Sequence, residues 1–332
     1  MEQHIIYYIY IYMKKIVIFS NCAGHIIKNM FEKHSFTKDK YVIHHIPNYE
    51  HLNKENIDDS HISLLNNCDI FMYQPLNQSY TTSEYDITNI KKHLHANTII
   101  LKINYYRFRG FWYNSEYKPY HNYNNYKFLN TNYYGIHDSF INFNTTNKND
   151  IIDKINNIQI PRDELLLFFD NELTKFKIID DNSDIDMFEY FINNYKIKQL
   201  FHDPFHPTNL FFYEMFRQII INLDNYELKY EDYDFIDLLN DIEMTHWALP
   251  ILPVVKYILD IKLGEYVYVF HPPDYGDKKI YMDIYDYYYI RLSHQNFKNY
   301  LENLKRCKIN KINKINKINK INKINKFKMI FN

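Results

Sequence analysis

Glycine is scarce. The 332-residue chain has five, against an average usage of about 7%. They stand at Gly24, Gly110, Gly135, Gly264 and Gly276, too scattered for a G-x-G-x-x-G fingerprint or a Walker A loop, which excludes phosphate cradles built on glycine. Cysteine is nearly as rare: Cys22, Cys68 and Cys307, with no C-x-x-C pair. A disulfide framework and a cysteine zinc site are both excluded, and a reducing, cytoplasmic setting is expected. Long apolar runs are missing as well. The N-terminal run from Ile5 to Met13 is too short to span a bilayer and lacks the basic flank and small-residue cleavage site of a signal peptide. It reads as an extension, residues 1–13, ahead of a more natural start at Met13-Lys14-Lys15. A net positive charge is absent from the body, since residues 1–300 hold 29 basic and 39 acidic side chains while residues 301–332 hold ten basic and one acidic. An acidic body does not predict nucleic-acid binding.

What the chain does have is apolar and aromatic side chains, 46% and 18% of its residues, ample for a sizeable core. The organising stretch is Lys15-Ile-Val-Ile-Phe19, a short β-branched run that reads as a buried strand, followed by Ser20-Asn21-Cys22-Ala23-Gly24-His25 and a helical pattern through Ile26, Ile27, Met30 and Phe31. Further strands are predicted at 41–47, 66–76 and 98–103, with helices between them. Strands alternating with helices imply an α/β fold with a parallel sheet. Residues 141–160 read as a polar connection. From Pro161 the pattern turns helical, with helices predicted through 164–176, 187–195 and 209–223, the last with Thr208 as its N-cap, then around 235–242 and 254–261. Residues 14–300 are expected to form one catalytic domain. The Lys-Ile-Asn repeat of the tail holds no stripe on a helix and predicts a disordered segment over 301–332.

In an open α/β sheet ligands bind outside the carboxyl ends of the strands, which puts Cys22, Gln74 and Tyr105 to Arg109 at one edge. Cys22 falls at a helix N-terminus, whose partial positive charge favours a thiolate; the alternative is a small packing residue. Asp203-Pro-Phe-His206 places a carboxylate and an imidazole three residues apart in a proline-stiffened loop. Nucleophile, base and orienting acid are the residue types of an acyl-transfer site. The pairs His44-His45 and His93-x-His95 have no acidic partner at ligand spacing, so no metal is expected, and Cys68 reads as core.

The order of these residues, nucleophile first and D-x-x-H late, resembles the SGNH hydrolases, which implies a three-layer core. Ser20-Asn21-Cys22, Tyr73-Gln74-Pro75, Tyr105 to Trp112 and His206-Pro207-Thr208 together resemble the WcbI-type polysaccharide biosynthesis enzymes over roughly residues 14–225. The chain departs from that pattern at Ala23, where a glutamine is common, and at Ser20, where a glycine is. The resemblance implies an acyltransferase that takes coenzyme A, as acetyl-CoA, and acts on a carbohydrate acceptor. Cys22 would attack the thioester, His206 would serve as base with Asp203 holding its tautomer, and the N–H groups of Cys22 and Ala23 with the Gln74 amide would form the oxyanion hole beside Asn21. Lys102, Tyr105, Arg107, Arg109 and Trp112 form the best phosphate-and-adenine patch, with His25 a further candidate; a solvated basic loop is the alternative. An esterase using the same residues, and a non-catalytic glycan-binding protein that has lost the family glutamine, are the competing readings.

Overall fold

The computed structural model describes residues 13–51, 54–75, 84–113, 147–228, 232, 235–236, 249–264, 266–269 and 280–286. The N-terminal extension to residue 12, the Lys-Ile-Asn tail, residues 141–146 and most of the helix expected at 235–242 lie outside them.

The centre is a four-stranded sheet of β1 (Lys14–Ser20), β2 (Tyr41–Pro47), β3 (Ile70–Tyr73) and β4 (Ile99–Lys102). Its order is β2-β1-β3-β4, and every neighbour pair is parallel. Burial on both faces explains why β1 reads as a continuous apolar run. Successive side chains alternate between two cores. Ile16 and Ile18 join Met72 and Leu101 on one face, whereas Val17 and Phe19 join Phe71 and Tyr73 on the other.

Helix α1 (Ala23–Lys33) covers the first face through Ile26, Ile27, Met30 and Phe31. The second is covered by Leu65 of α2 (Asp59–Asn66) and Ile90 of α3 (Ile87–Lys91). The result is a three-layer α/β arrangement of helices, parallel sheet and helices. Cys68 sits in the second core, and burial pushes its thiol up to about 11.

The polar connection expected at 141–160 is, over its described part, a helix. Helix α4 (Lys148–Asn156) is capped by the Asn147 side chain, which accepts the Asn149 N–H, and buries Ile151 and Ile155. Two isoleucines at i, i+4 suffice to seat one turn of an otherwise polar segment. Helices α5 (Arg162–Asp180), α6 (Phe188–Asn194), α7 (Asn209–Asp224) and α8 (Pro253–Ile258) pack on the α1 face. Phenylalanine dominates that packing: Phe108, Phe176, Phe191, Phe201 and Phe211 form one aromatic cluster. Between α6 and α7 a two-stranded antiparallel ribbon, β5 (Phe201–Asp203) and β6 (His206–Pro207), carries the D-x-x-H segment. A second antiparallel pair, β7 (Tyr266–Val269) and β8 (Ile280–Asp283), was not foreseen from the sequence. No helix among the described residues is long and apolar enough to cross a membrane.

Candidate active site

The strand order reverses between β1 and β3. The connection through α1 leads outward to β2, and the next, through α2, returns across β1 to β3. The crevice at the carboxyl ends of these two strands is where open α/β sheets bind ligands. Cys22 follows β1 and Gln74 follows β3, and one hydrogen bond ties the two ends together: the Asn21 N–H donates to Gln74 Oε1 at 3.0 Å. The Gln74 N–H in turn donates to the Phe19 carbonyl at 2.8 Å.

Nearly every polar backbone atom of the Ser20–Gly24 turn is held. The Ala23 N–H donates to Asn21 Oδ1 (3.0 Å), the Gly24 N–H to the Asn21 carbonyl (3.0 Å), and the His25 N–H to the Cys22 carbonyl (3.1 Å). Gly24 is required here by space, because a Cβ would stand 2.0 Å from Ser20 Oγ and 2.6 Å from His45 Nε2.

Cys22 is exposed at the mouth of this crevice. The expectation of a thiolate favoured by the helix N-terminus is corrected. The protein around the side chain pushes the thiol above its usual value, and the N–H groups of Cys22 and Ala23, which pull it down, do not compensate. At neutral pH the sulfur is therefore a thiol that needs a base. The oxyanion-hole expectation narrows too, because the Ala23 N–H is shared with Asn21 Oδ1 at 3.0 Å.

The D-x-x-H turn is self-contained. Asp203 is fully buried, and its Oδ2 accepts from His206 Nδ1 at 2.6 Å. Its Oδ1 accepts the N–H groups of Phe205 (2.8 Å) and His206 (3.0 Å). The dyad fixes the tautomer, with the proton on Nδ1 and a basic Nε2 at the other side of the ring. The turn docks onto the segment after β4, where the Phe108 N–H donates to the Pro204 carbonyl at 2.9 Å and the Tyr105 hydroxyl to the Phe205 carbonyl.

These bonds seat the turn on the segment that leaves the carboxyl end of β4. β4 is separated from β1 by β3 alone, so their ends stand about 10 Å apart. Helix α7 ends beside the start of β1, where Asp224 faces Lys14 (4.0 Å) and Lys40 (3.7 Å), and it packs along α1 through Phe216 on Phe31. Its 16 residues run about 24 Å, the length of β1. Its N-cap, Thr208, follows His206 by two residues. Thr208 caps as expected, its Oγ1 accepting the Phe211 N–H.

The cofactor patch is only partly assembled. Trp112 is not placed to stack on an adenine: it is fully enclosed in the first core against Phe111, because the 106–113 segment turns inward to cover the sheet. Tyr106 is buried too, its hydroxyl donating to Asp180 Oδ1 at 2.8 Å. Tyr105, half-buried, spends its hydroxyl on the D-x-x-H turn. Arg107 is exposed and Arg109 half-buried. Lys102 uses its backbone to bind the 183–184 loop, its N–H donating to Asp184 Oδ2 at 2.6 Å. His25 is exposed on the first turn of α1.

Two neighbours of the thiol escaped the sequence reading. His45, weighed there only as half of a metal pair, lies against the Ser20–Asn21 backbone. Tyr49, on the single 3-10 turn Asn48–Glu50 after β2, has its phenol pushed up by partial burial, by Glu50 and by a charge on Cys22. The available signal was the parity of β2, since residues 43 and 45 share the α1 face with Ile16 and Ile18. Among the described residues no group of three or more His, Cys, Asp or Glu side chains is placed to hold a metal ion.

Residues 15–227 match the model of one protein family, described as polysaccharide biosynthesis enzyme WcbI. A solved structure of WcbI, described as a novel polysaccharide biosynthesis enzyme in its native form without a disulfide bond between coenzyme A and a cysteine, superposes with a TM-score of 0.57 at 15% identity, covering 86% of this chain and 90% of that one. No curated protein sequence matches this chain.

Proposed function

From the premise that this chain belongs to the WcbI family of polysaccharide biosynthesis enzymes, we propose that it is a coenzyme A-dependent O-acyltransferase acting on a carbohydrate hydroxyl. The observation that supports the reading is the Asp203–His206 dyad, whose buried carboxylate holds Nδ1 at 2.6 Å in a turn bonded to the segment after β4. The mention of a bond between coenzyme A and a cysteine for WcbI supports Cys22 as the thiol that a bound acyl-CoA would meet.

In the first half-reaction His206 Nε2 takes the Cys22 proton, and Cys22 Sγ attacks the thioester carbonyl. The tetrahedral oxyanion is received by the Cys22 N–H and the Gln74 amide nitrogen. The C–S bond to coenzyme A breaks, and its thiolate takes the proton from His206. One thioester replaces another, so the step is nearly balanced in energy. In the second half-reaction His206 removes the proton of a sugar hydroxyl, whose oxygen attacks the acyl-Cys22 carbonyl, and the leaving Cys22 thiolate is reprotonated. Asp203 keeps its hydrogen bond to Nδ1 and stabilises the imidazolium in both. Arg107 and Arg109 suit the phosphates of the donor.

The test is thermal melting with coenzyme A, followed by incubation with acetyl-CoA and a panel of sugars. A rise in melting temperature and acetyl ester on a sugar are expected. No shift at millimolar coenzyme A overturns the proposal, and acetate released at the same rate without an acceptor replaces it by an esterase.

A further inference from the structure

His45 Nε2 lies 3.2 Å from the Ser20 carbonyl oxygen, 3.1 Å from the Asn21 carbonyl oxygen and 3.4 Å from Ser20 Oγ. Both carbonyl oxygens can only accept, so Nε2 carries the proton and donates. We infer that His45 is a positioning residue for the reactive thiol: its Nε2–H sets the two peptide planes on either side of Asn21 and with them the direction of the Cys22 N–H.

A peptide unit is planar, with its C=O and N–H on opposite sides. In the Ser20–Asn21 unit His45 holds the carbonyl end, and Gln74 Oε1 holds the N–H end at 3.0 Å. In the Asn21–Cys22 unit the carbonyl is held by His45, by the Gly24 N–H at 3.0 Å and by Ser20 Oγ at 3.2 Å. Its other end is the Cys22 N–H, which together with the Ala23 N–H pulls the thiol down against the effect of burial. Turning that plane would take away one of these two donors. Gly24 is part of the same device, since any side chain there would displace Nε2. Burial, with His25 and Lys28 of α1 adding to it, disfavours a charged His45, while the two carbonyls favour it. A neutral ring with the proton on Nε2 meets all of these contacts.

The inference rests on Cys22 being the reactive thiol, but its test needs no acyl donor, so it stands or falls apart from the transferase reading. The rate of Cys22 alkylation by iodoacetamide, followed by peptide mass spectrometry across pH, reports the thiolate directly. Expected for His45→Ala is a rightward shift of the profile by about one pH unit, a tenfold slower reaction at neutral pH, with recovery in His45→Gln, whose amide N–H reaches the same carbonyls. A folded His45→Ala protein with the wild-type profile, or a His45→Gln protein no better than His45→Ala, overturns the inference. Nitrogen NMR of the wild-type ring tests it without any variant, since an unprotonated Nε2 at neutral pH is incompatible with it.

Discussion

The two halves of the site are built in opposite ways. The D-x-x-H turn organises itself: one carboxylate, Asp203, holds the imidazole and two backbone N–H groups within the next three residues. The cysteine turn has local bonds of its own, from the Gly24 and Ala23 N–H groups to Asn21, but it also draws on residues distant in the chain, Gln74 just after β3 and His45 from β2. A self-contained motif keeps its geometry wherever the chain carries it, whereas an externally held one exists only when the strands around it have paired.

The sharpest way to break this comparison is to remove each chemical group in turn. Cys22→Ser and His206→Ala should each lower acyl transfer by roughly three orders of magnitude or more. Cys22→Ser should barely move the melting temperature, because the side chain is exposed, whereas His206→Ala should lower it, because the buried Asp203 carboxylate loses its imidazole partner. Asp203→Asn should lose both properties at once. An amide cannot hold the imidazole and two N–H groups as a carboxylate does, so activity falls by up to about 10⁴, and the turn loses about 1–3 kcal/mol of stability, read from urea unfolding.

Gly24→Ala addresses the externally held half. The new methyl group meets Ser20 Oγ and the His45 ring, which should destabilise the fold by about 1–3 kcal/mol and slow Cys22 alkylation without touching the Asp203–His206 pair.

A pH series separates the halves further. Burial lowers His34, His44, His45, His51 and His61 below the ordinary histidine value of 6.5. The unfolded chain therefore binds more protons than the folded one below that pH. Their contribution is fully present above 6.5 and is lost as pH falls toward the folded values. The urea midpoint should drop progressively from pH 7 to pH 5, and a midpoint that rose over this range would contradict the assignment. The raised Cys22 thiol has the opposite sign, so alkylation should still be climbing at pH 9. The smallest effect is expected from Arg107→Ala, an exposed side chain whose loss should raise the KM for acetyl-CoA a few-fold and leave kcat unchanged.

Much of the fold was legible because its signals are local. The four strands, the Thr208 cap and the helices between Pro161 and Asp224 each follow from apolar runs, a capping hydroxyl or helical spacing within a short window. Helix α4 was missed because two buried isoleucines decide it in a segment with six polar residues. The aromatic run from Tyr105 to Trp112 misled in the other direction, since ring side chains that suit an adenine suit a core equally well, and only the packing of Trp112 in the core and the bond from Tyr106 to Asp180 tell them apart.

The same division runs through the site. The amino-acid order alone determined that a thiol would follow the first strand and that Asp203 would hold His206, because a strand end and an i, i+3 turn are short-range geometry. Only the tertiary structure decided that His45 and Gln74 would clamp the peptides around Cys22, that the thiol would be raised instead of lowered, and that Trp112 would face inward. Each of these depends on which strands lie side by side and which surfaces lose water, and those are properties of the assembled chain that no short stretch of it contains.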